Sequence, residues 1–498
     1  MKAPLIPSHP VLTSAEAGAL EARLLGSDER REWKAMLAAG AGVASSILAD
    51  FAEAGPLASQ ARLLVLAGKG NNAGDALIAA ADILRRIPGA SADVLFAFGP
   101  RKLRPLAARA WRGLAELGRG RVRTVEAGGL SAAYDIGIDG IFGFQFRPPL
   151  PAEALAAIAA AAGCAIRFRA SVDLPSGLAE AGAFRADFTY ATGSVKEDLI
   201  GCANAGRPRY IDLGFFDGGD AIGAAGDRIL LGSVLGPLSG LRPASSDKRS
   251  QGHLALVGGS GHFPGAILMS TLAALQSGVG LVTAFVPERL AGIYAARAPE
   301  AMWVGLPESA SGGLAARGLS RVVKGAARAT AIAIGPGMGR EAGTLALIRG
   351  VVRTSRVPLV IDADALQAGI VGLGKAPRIL TPHAGELERI SRGRGLRQLA
   401  RALPAVISAK GPVTRICDGG PTYHAFCGGP VLSRGGSGDL LAGLTGGLLA
   451  QTPGQPLAAA CRAVAWHGKA ADLLARARGQ TAVQIPEWLD FLSPALRG

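Results

Sequence analysis

Short apolar runs that end in glycine, asparagine or aspartate recur along this chain, and longer stretches with helical spacing separate them. Leu63–Ala67 predicts a buried strand, followed by Gly68-Lys69-Gly70-Asn71-Asn72-Ala73-Gly74-Asp75 and an alanine-rich helix running to Arg86. Further strands are expected at Asp93–Phe98, Tyr134–Ile138 and Ala165–Val172. Strands alternating with helices imply parallel α/β layering. Between Phe216 and Gly252 the chain turns polar and glycine-rich, with Asp217-Gly218-Gly219-Asp220 and Pro243-Ala244-Ser245-Ser246. A domain boundary is expected there, between about 218 and 235.

The second half repeats the pattern with other motifs. His253–Val257 predicts a strand that runs into Gly258-Gly259-Ser260-Gly261 and a helix starting near Pro264-Gly265-Ala266. Ala331–Ile334 leads to Gly335-Pro336-Gly337-Met338-Gly339, and Leu359–Ile361 to Asp362-Ala363-Asp364-Ala365-Leu366. Ile379-Leu380 precedes Thr381-Pro382-His383-Ala384-Gly385-Glu386, and Ala405–Ala409 precedes Lys410-Gly411-Pro412-Val413-Thr414. Clusters at the carboxyl ends of parallel strands occupy the edge where open α/β sheets bind ligands. Turn chemistry alone does not explain so many.

Composition narrows the classes. The chain has 498 residues, 49% hydrophobic and 18% charged, which leaves room for more than one domain. No uninterrupted apolar run reaches the roughly 18–20 residues needed to cross a bilayer. Prolines 4, 7 and 10 interrupt the Met1–Ser14 stretch, which argues against a secretory signal. Cysteines 164, 202, 417, 427 and 461 form no Cys-x-x-Cys pair, which fits a reducing cytoplasm. The net charge of +15 is mainly arginine spread along the chain, and aromatics are only 5%. That distribution favours phosphorylated small ligands over nucleic acid.

The sharpest chemical signal is Gly435-Gly436-Ser437-Gly438-Asp439, which runs into the apolar stretch Leu440–Ala450. Small residues let the backbone approach an anion, and the following helix turns its unpaired N–H groups toward it. A carboxylate there repels phosphate unless it has a proton to remove. The motif therefore reads either as a phosphoryl-transfer loop with Asp439 as base or as a turn capping a buried helix. In the first half, Asn71, Asn72 and Asp75 are placed in a loop that suits a ribose-phosphate ligand or a monovalent cation. It is not a Walker A loop, and it matches a dinucleotide fingerprint only in the variant ending in alanine, at Ala73. Asp139 and Asp173 each end a predicted strand, where a helix cap or Asx-turn is the competing explanation.

Taken in order, these motifs resemble a known family. Residues 1–218 resemble NAD(P)H-hydrate epimerases through Gly-Asn-Asn-x-Gly-Asp, Asp-x-x-x-Gly-Phe and Asp-x-Pro-Ser-Gly. Residues 228–498 resemble the ADP/ATP-dependent NAD(P)H-hydrate dehydratases of the ribokinase-like superfamily. The motifs there are Gly-Gly-Ser, Gly-Pro-Gly-x-Gly, Asp-Ala-Asp-Ala-Leu, Thr-Pro-His-x-Gly-Glu, Lys-Gly-x-x-Thr and Gly-x-Gly-Asp. The resemblance implies an N-terminal Rossmann-like doubly wound α/β domain and a C-terminal ribokinase-like α/β domain.

For the first half it implies interconversion of the R and S epimers of hydrated NADH or NADPH. Asn71, Asn72, Ala73, Gly74 and Asp75 would hold the hydrate, with Gly143, Phe144, Gln145, Phe146, Arg147, Pro148 and Pro149 as a second ligand loop. Asp173 would contact the hydrate and act as acid/base, and Asn72, Asp139 and Ser176 would bind a potassium ion. For the second half it implies dehydration of the S form driven by ADP or ATP, with Mg2+. Asp439 would be the base, and Ala266, Gly337, His383 and Asp439 would contact the hydrate. Lys410, Gly411, Pro412, Val413, Thr414 and Gly438 would bind the nucleotide, with Glu386 in an indirect metal role. His383 as a simple helix cap and Lys410 as a solvated turn lysine remain alternatives. The expected partners are these small molecules, without nucleic acid or membrane, and the expected assembly is a cytoplasmic homo-oligomer.

Two departures from the family pattern stand out. Of the usual His-Lys-Gly before the Gly-Gly-Ser strand only Lys248 is kept, and Ser437 replaces a common threonine. A small-molecule kinase for a thiazole or pyrimidine alcohol would share the Gly-x-Gly-Asp loop but leaves the first half unexplained. A nucleotide-responsive scaffold would not require Asp173 and Asp439.

Overall fold

The computed structural model describes residues 6–26, 28–218 and 226–497. Gly219 and Asp220 of the expected boundary, and the start of the Met1–Ser14 stretch, lie outside them. The chain divides into two compact units. One is His9–Ala224 with Ala475–Gln480, and the other is Met1–Ser8, Ala225–Leu474 and Thr481–Gly498. Short-range chemistry explains the two segments that leave a simple sequential cut. Arg476 and Gln480 bond to the buried carboxylates Asp50 and Glu53 of the first unit. Arg228 of the second bonds the hydroxyl and carbonyl of Ser8.

The first unit contains β1 (Ser8–Leu12), β2 (Arg62–Ala67), β3 (Ser91–Phe96), β4 (Val122–Thr124), β5 (Ala133–Gly140), β6 (Ala165–Val172), β7 (Phe188–Thr192), β8 (Val195–Lys196) and β9 (Arg207–Ile211). Its helices are α1 (Ser14–Leu25), α2 (Glu29–Phe51), α3 (Asn71–Arg86), α4 (Pro105–Leu117) and α5 (Ala152–Ala162). Seven strands form a parallel sheet in the order β4-β3-β2-β5-β6-β7-β9, and β1 pairs with β8. The chain winds outward from β2 in one direction and from β5 in the other. The switch point between β2 and β5 opens a crevice at their carboxyl ends. Helix α2 is long and apolar enough to span a membrane by length and composition. Its Val43, Ala44, Ile47 and Phe51 are packed in the core.

The expected loop at Asn71–Asp75 is corrected by the structure, because these residues form the first turn of α3. Gly70 serves as N-cap in extended conformation, so the helix begins as soon as the chain leaves the sheet.

The second unit contains β10 (Asp227–Leu230), β11 (His253–Val257), β12 (Leu281–Pro287), β13 (Met302–Leu306), β14 (Ala331–Ile334), β15 (Leu359–Ile361), β16 (Arg378–Leu380), β17 (Val406–Ala409), β18 (Thr414–Cys417) and β19 (Thr422–Ala425). Its helices are α6 (Pro264–Gln276), α7 (Glu288–Arg297), α8 (Leu319–Gly325), α9 (Ala342–Thr354), α10 (Ala384–Ser391), α11 (Leu396–Ala402), α12 (Ser437–Gln451), α13 (Pro456–Arg478) and α14 (Leu492–Arg497), the last turn of α13 falling in the first unit. The strand order is β13-β12-β11-β14-β15-β16-β17-β18-β19-β10, parallel except where β18 pairs with its neighbours. The switch point falls between β11 and β14.

Helices α6 and α12 lie unusually close. A Cβ added to Gly443 would sit 1.9 Å from the carbonyl oxygen of Ser270. Gly443→Ala is therefore expected to force the helices apart and cost about 2–3 kcal/mol, lowering Tm by roughly 5–10 °C. Thermal unfolding followed by circular dichroism checks this.

Candidate active sites

In the first unit, close backbone approaches assemble the crevice. A Cβ at Gly68 would fall 2.0 Å from the Ile141 carbonyl oxygen, so only glycine lets the exit of β2 lie against the loop after β5. Asn72 Nδ2 donates to the Phe142 carbonyl at 2.9 Å and ties α3 to the same loop. A Cβ at Gly143 would meet Asp173 Oδ2 at 2.8 Å and Asn72 Oδ1 at 3.2 Å. Gly143→Ala is thus expected to displace one of these groups and slow the epimerisation that the resemblance implies about 10- to 100-fold while the fold survives. Steady-state rates with the R hydrate, alongside circular dichroism, measure it.

One cavity of about 460 Å³ is lined by Asn71, Asn72, Asp75, Gly143, Phe144, Gln145, Phe146 and Asp173. Ala73 and Gly74 are buried on the inner side of α3, with Gly74 against Met36, and do not line it. Arg147, Pro148 and Pro149 are exposed beyond it. The Arg147 guanidinium instead braces the loop by donating to the carbonyls of Phe144 and Phe146. The cavity also takes in Glu21, Lys69, Arg104 and Lys196, none of which a motif singles out. Burial pushes Glu21 up to about 7, against the pull of Lys196. Burial, and then the charges of Asp173 and Glu21, raise Asp75 well above the usual carboxylate range.

Asp173 is not a local cap. It lies at φ +64°, in the left-handed region that side chains avoid, and its oxygens bond to the Phe144 N–H and to Lys196.

Asp139 sits behind the cavity wall, fully buried. It accepts from the Ser176 hydroxyl at 2.6 Å, the Ser176 N–H at 2.8 Å and the Ile141 N–H at 3.2 Å. Burial still pushes it up to about 6. The Phe142 carbonyl, which accepts from Asn72, is 3.5 Å from Ser176 Oγ. Asn72 and Ser176 thus meet at the Phe142 carbonyl, and Asp139 is joined to them through Ser176. Their donors are oxygens with a single carboxylate, a set that fits a monovalent cation better than a divalent one. Among the described residues no three His, Cys, Asp or Glu side chains gather as a metal cluster.

In the second unit, Gly436 at φ +96° turns the chain into α12 and places Asp439 in its first turn. Ser270 Oγ donates to the Asp439 carbonyl at 2.9 Å, fixing that turn against α6. Asp362, at the end of β15, accepts from Thr381 Oγ1 at 2.7 Å and from Lys410 Nζ at 3.0 Å. The same ammonium lies 3.2 Å from where a Cβ on Gly438 would be. Lys410 is thus paired, not a solvated turn residue. Burial alone would lower its pKa, but Asp362, Glu386 and Asp439 outweigh it and raise it. Burial, then the charge of Asp362, push Asp439 up to about 7, with Lys410 opposing.

Gly411 and Pro412 are exposed beside Lys410, and Val413 and Thr414 are half-buried where β18 begins. Gly337, at φ +62°, lies against α6: a Cβ there would meet Ala266 Cβ at 2.8 Å. These two predicted hydrate contacts are neighbours at the switch point. His383 does cap α10, its Nδ1 accepting from the Gly385 N–H at 3.1 Å while Glu386 accepts from the His383 N–H at 2.9 Å. Burial raises Glu386. Sequence reasoning quoted Asp362, Asp364 and Thr381 within motifs but gave them no part in the site. It missed His467 altogether: the buried ring places Nε2 3.1 Å from the Ser437 carbonyl, and burial pushes it down to about 4.

Fold and sites together define a class, two α/β units whose sheets each reverse strand order at a switch point, with the candidate site residues gathered at the carboxyl ends of the strands there. Residues 254–491 match the family model described as NAD(P)H-hydrate dehydratase, and residues 34–197 match that described as YjeF-related protein N-terminus. A bifunctional NAD(P)H-hydrate repair enzyme of Moorella thermoacetica is 34% identical over 98% of this chain and 96% of its own. One of Thermosynechococcus vestitus is 36% identical over 89% of each. The solved ADP/ATP-dependent NAD(P)H-hydrate dehydratase of Bacillus subtilis, co-crystallised with ATP and Mg2+, is 29% identical. That similarity covers 52% of this chain and 93% of the solved one, with a TM-score of 0.45. The chain belongs to the family of bifunctional NAD(P)H-hydrate repair enzymes.

Proposed function

We propose that this chain repairs hydrated nicotinamide nucleotides with two activities. The first unit epimerises R- and S-NAD(P)H hydrate, and the second dehydrates the S form to NAD(P)H at the expense of a nucleotide. The observation that carries this is Asp439, placed at the N-terminus of α12 beside Lys410 and Gly438. A carboxyl pushed up to about 7 is matched to taking a hydroxyl proton near neutrality. Hydroxide is a poor leaving group, so the hydroxyl oxygen attacks the terminal phosphorus of ADP or ATP as Asp439 accepts its proton. AMP (from ADP) or ADP (from ATP) leaves as the phosphoryl group joins the hydroxyl oxygen. Phosphate then departs with the C–O bonding pair while the adjacent ring carbon loses a proton to solvent, its C–H pair becoming the restored ring double bond. Lys410 and the amides opening α12 balance charge on the transferring phosphoryl group, which arrives with its Mg2+. Ala266, Gly337 and His383 shape the hydrate side, and Lys410 to Thr414 with Gly438 the nucleotide side.

In the first unit the C–O bond at the carbon beside the ring nitrogen breaks as the nitrogen lone pair forms an iminium, and water adds back to the opposite face. Asp173 gives its proton to the departing hydroxyl and takes one from the incoming water. A potassium ion on Asn72, Asp139 and Ser176 would supply charge balance that ties α3 to the loops after β5 and β6. A cytoplasmic homo-oligomer is the proposed setting. Purified S hydrate with ADP, and separately with ATP, is expected to regain NADH absorbance only when nucleotide is present. The R hydrate should follow through epimerisation. A sample that instead phosphorylates thiazole or pyrimidine alcohols and leaves the hydrate intact would replace this reading with a kinase.

A further inference from the structure

We infer that Lys196 is the positioning residue of the first active site, holding the Asp173 carboxylate toward the cavity where the hydrate carbon inverts. The inference rests on the epimerase reading above and adds a residue that no motif assigns. Lys196 closes the two-residue strand β8 and is only 1% exposed, yet it lines the cavity. Its ammonium donates to Asp173 Oδ1 at 2.6 Å, to the Ser194 carbonyl at 3.0 Å and to the Thr192 carbonyl at 3.3 Å. All three N–H directions are used. The ammonium also lies 4.8 Å from the centre of the Phe144 ring, on the loop the substrate is expected to touch.

The other oxygen of Asp173 accepts the Phe144 N–H at 2.9 Å, and its own N–H is held by the Tyr190 carbonyl at 2.8 Å. The carboxylate is therefore fixed at both oxygens, on a backbone at φ +64°. A buried ion pair gains little stability over packed apolar side chains. Set in the wall of a reaction cavity, it orients a group that would otherwise swing about two torsions. The Ser194 and Thr192 carbonyls cannot do this, since a carboxylate oxygen needs a donor, which the Lys196 ammonium supplies.

The test uses the full-length protein and reads conversion of R hydrate through its own dehydratase with ADP. Lys196→Ala is expected to lower kcat for epimerisation about 10- to 100-fold with KM nearly unchanged. Added ethylammonium, which returns the deleted ammonium charge, should restore part of that rate. The double variant Lys196→Ala/Asp173→Asn should be no slower than Asp173→Asn, because Lys196 acts through that carboxylate. Turnover of S hydrate by the same samples should match wild type. If Lys196→Ala fails to fold, Lys196→Gln carries the same comparisons with a donor but no charge. A wild-type rate in the variant, or losses that multiply in the double variant, would overturn the inference. A wild-type enzyme that leaves R hydrate unconverted while repairing S hydrate would defeat the epimerase reading itself, a separate result.

Discussion

Asp439→Asn is expected to abolish the recovery of NADH from S hydrate, by about 10²–10⁴-fold in kcat, while ADP still binds. The amide keeps the shape of the first turn of α12 and leaves Lys410 and Gly438 in place, so calorimetric titration should give a near wild-type nucleotide affinity. In wild type, kcat/KM for dehydration should fall as pH drops through about 7, where Asp439 takes up its proton. The variant's residual rate should lack that limb.

Stability should move in the opposite sense. The folded pKa lies above the unfolded value near 4, so the folded state holds this proton more tightly. Ionisation therefore costs stability progressively as pH rises from about 4 through about 7. Asp439→Asn should raise Tm at pH 8, with the gain vanishing toward pH 4. Full turnover in the variant would remove Asp439 as the base.

Asp173→Asn is expected to leave repair of S hydrate intact and slow consumption of R hydrate towards its spontaneous rate, a loss of about 10²–10⁴-fold. The two halves then separate cleanly in one assay, since the S epimer never needs the first cavity. The variant also leaves the Lys196 ammonium buried without its carboxylate, which is costly. A lower Tm is expected along with the lost rate. Circular dichroism at the assay temperature distinguishes lost chemistry from lost fold. If R hydrate is consumed as fast as before, Asp173 is not the acid/base group.

Much of the second site could be read from local patterns. The glycine run before Asp439 and the polar turn at His383 carry their own geometry, a left-handed glycine and a capping box. Asn71 to Asp75 misled as a loop, because glycine and asparagine signal turns while a helix can start directly at Gly70. Arg147 to Pro149 belong to the expected second ligand loop but are exposed and do not line the cavity, a matter of where the loop ends and not of residue type. Lys196 gave no warning. A lysine after a short apolar strand looks like any surface lysine until the turn after β7 brings it onto Asp173.

Several strands of both halves and the placing of chemistry at their ends follow from the sequence, because periodicity and glycine punctuation act over a few residues; the pairing of the two halves was legible only through the ordered family motifs. Charge states and partnerships were decided by the tertiary fold. Asp362, Lys410 and Asp439 are far apart in the chain, and sheet order brings them together in a buried setting where their fields add. Desolvation and Coulomb interaction depend on distance in space, and only the packed structure supplies it.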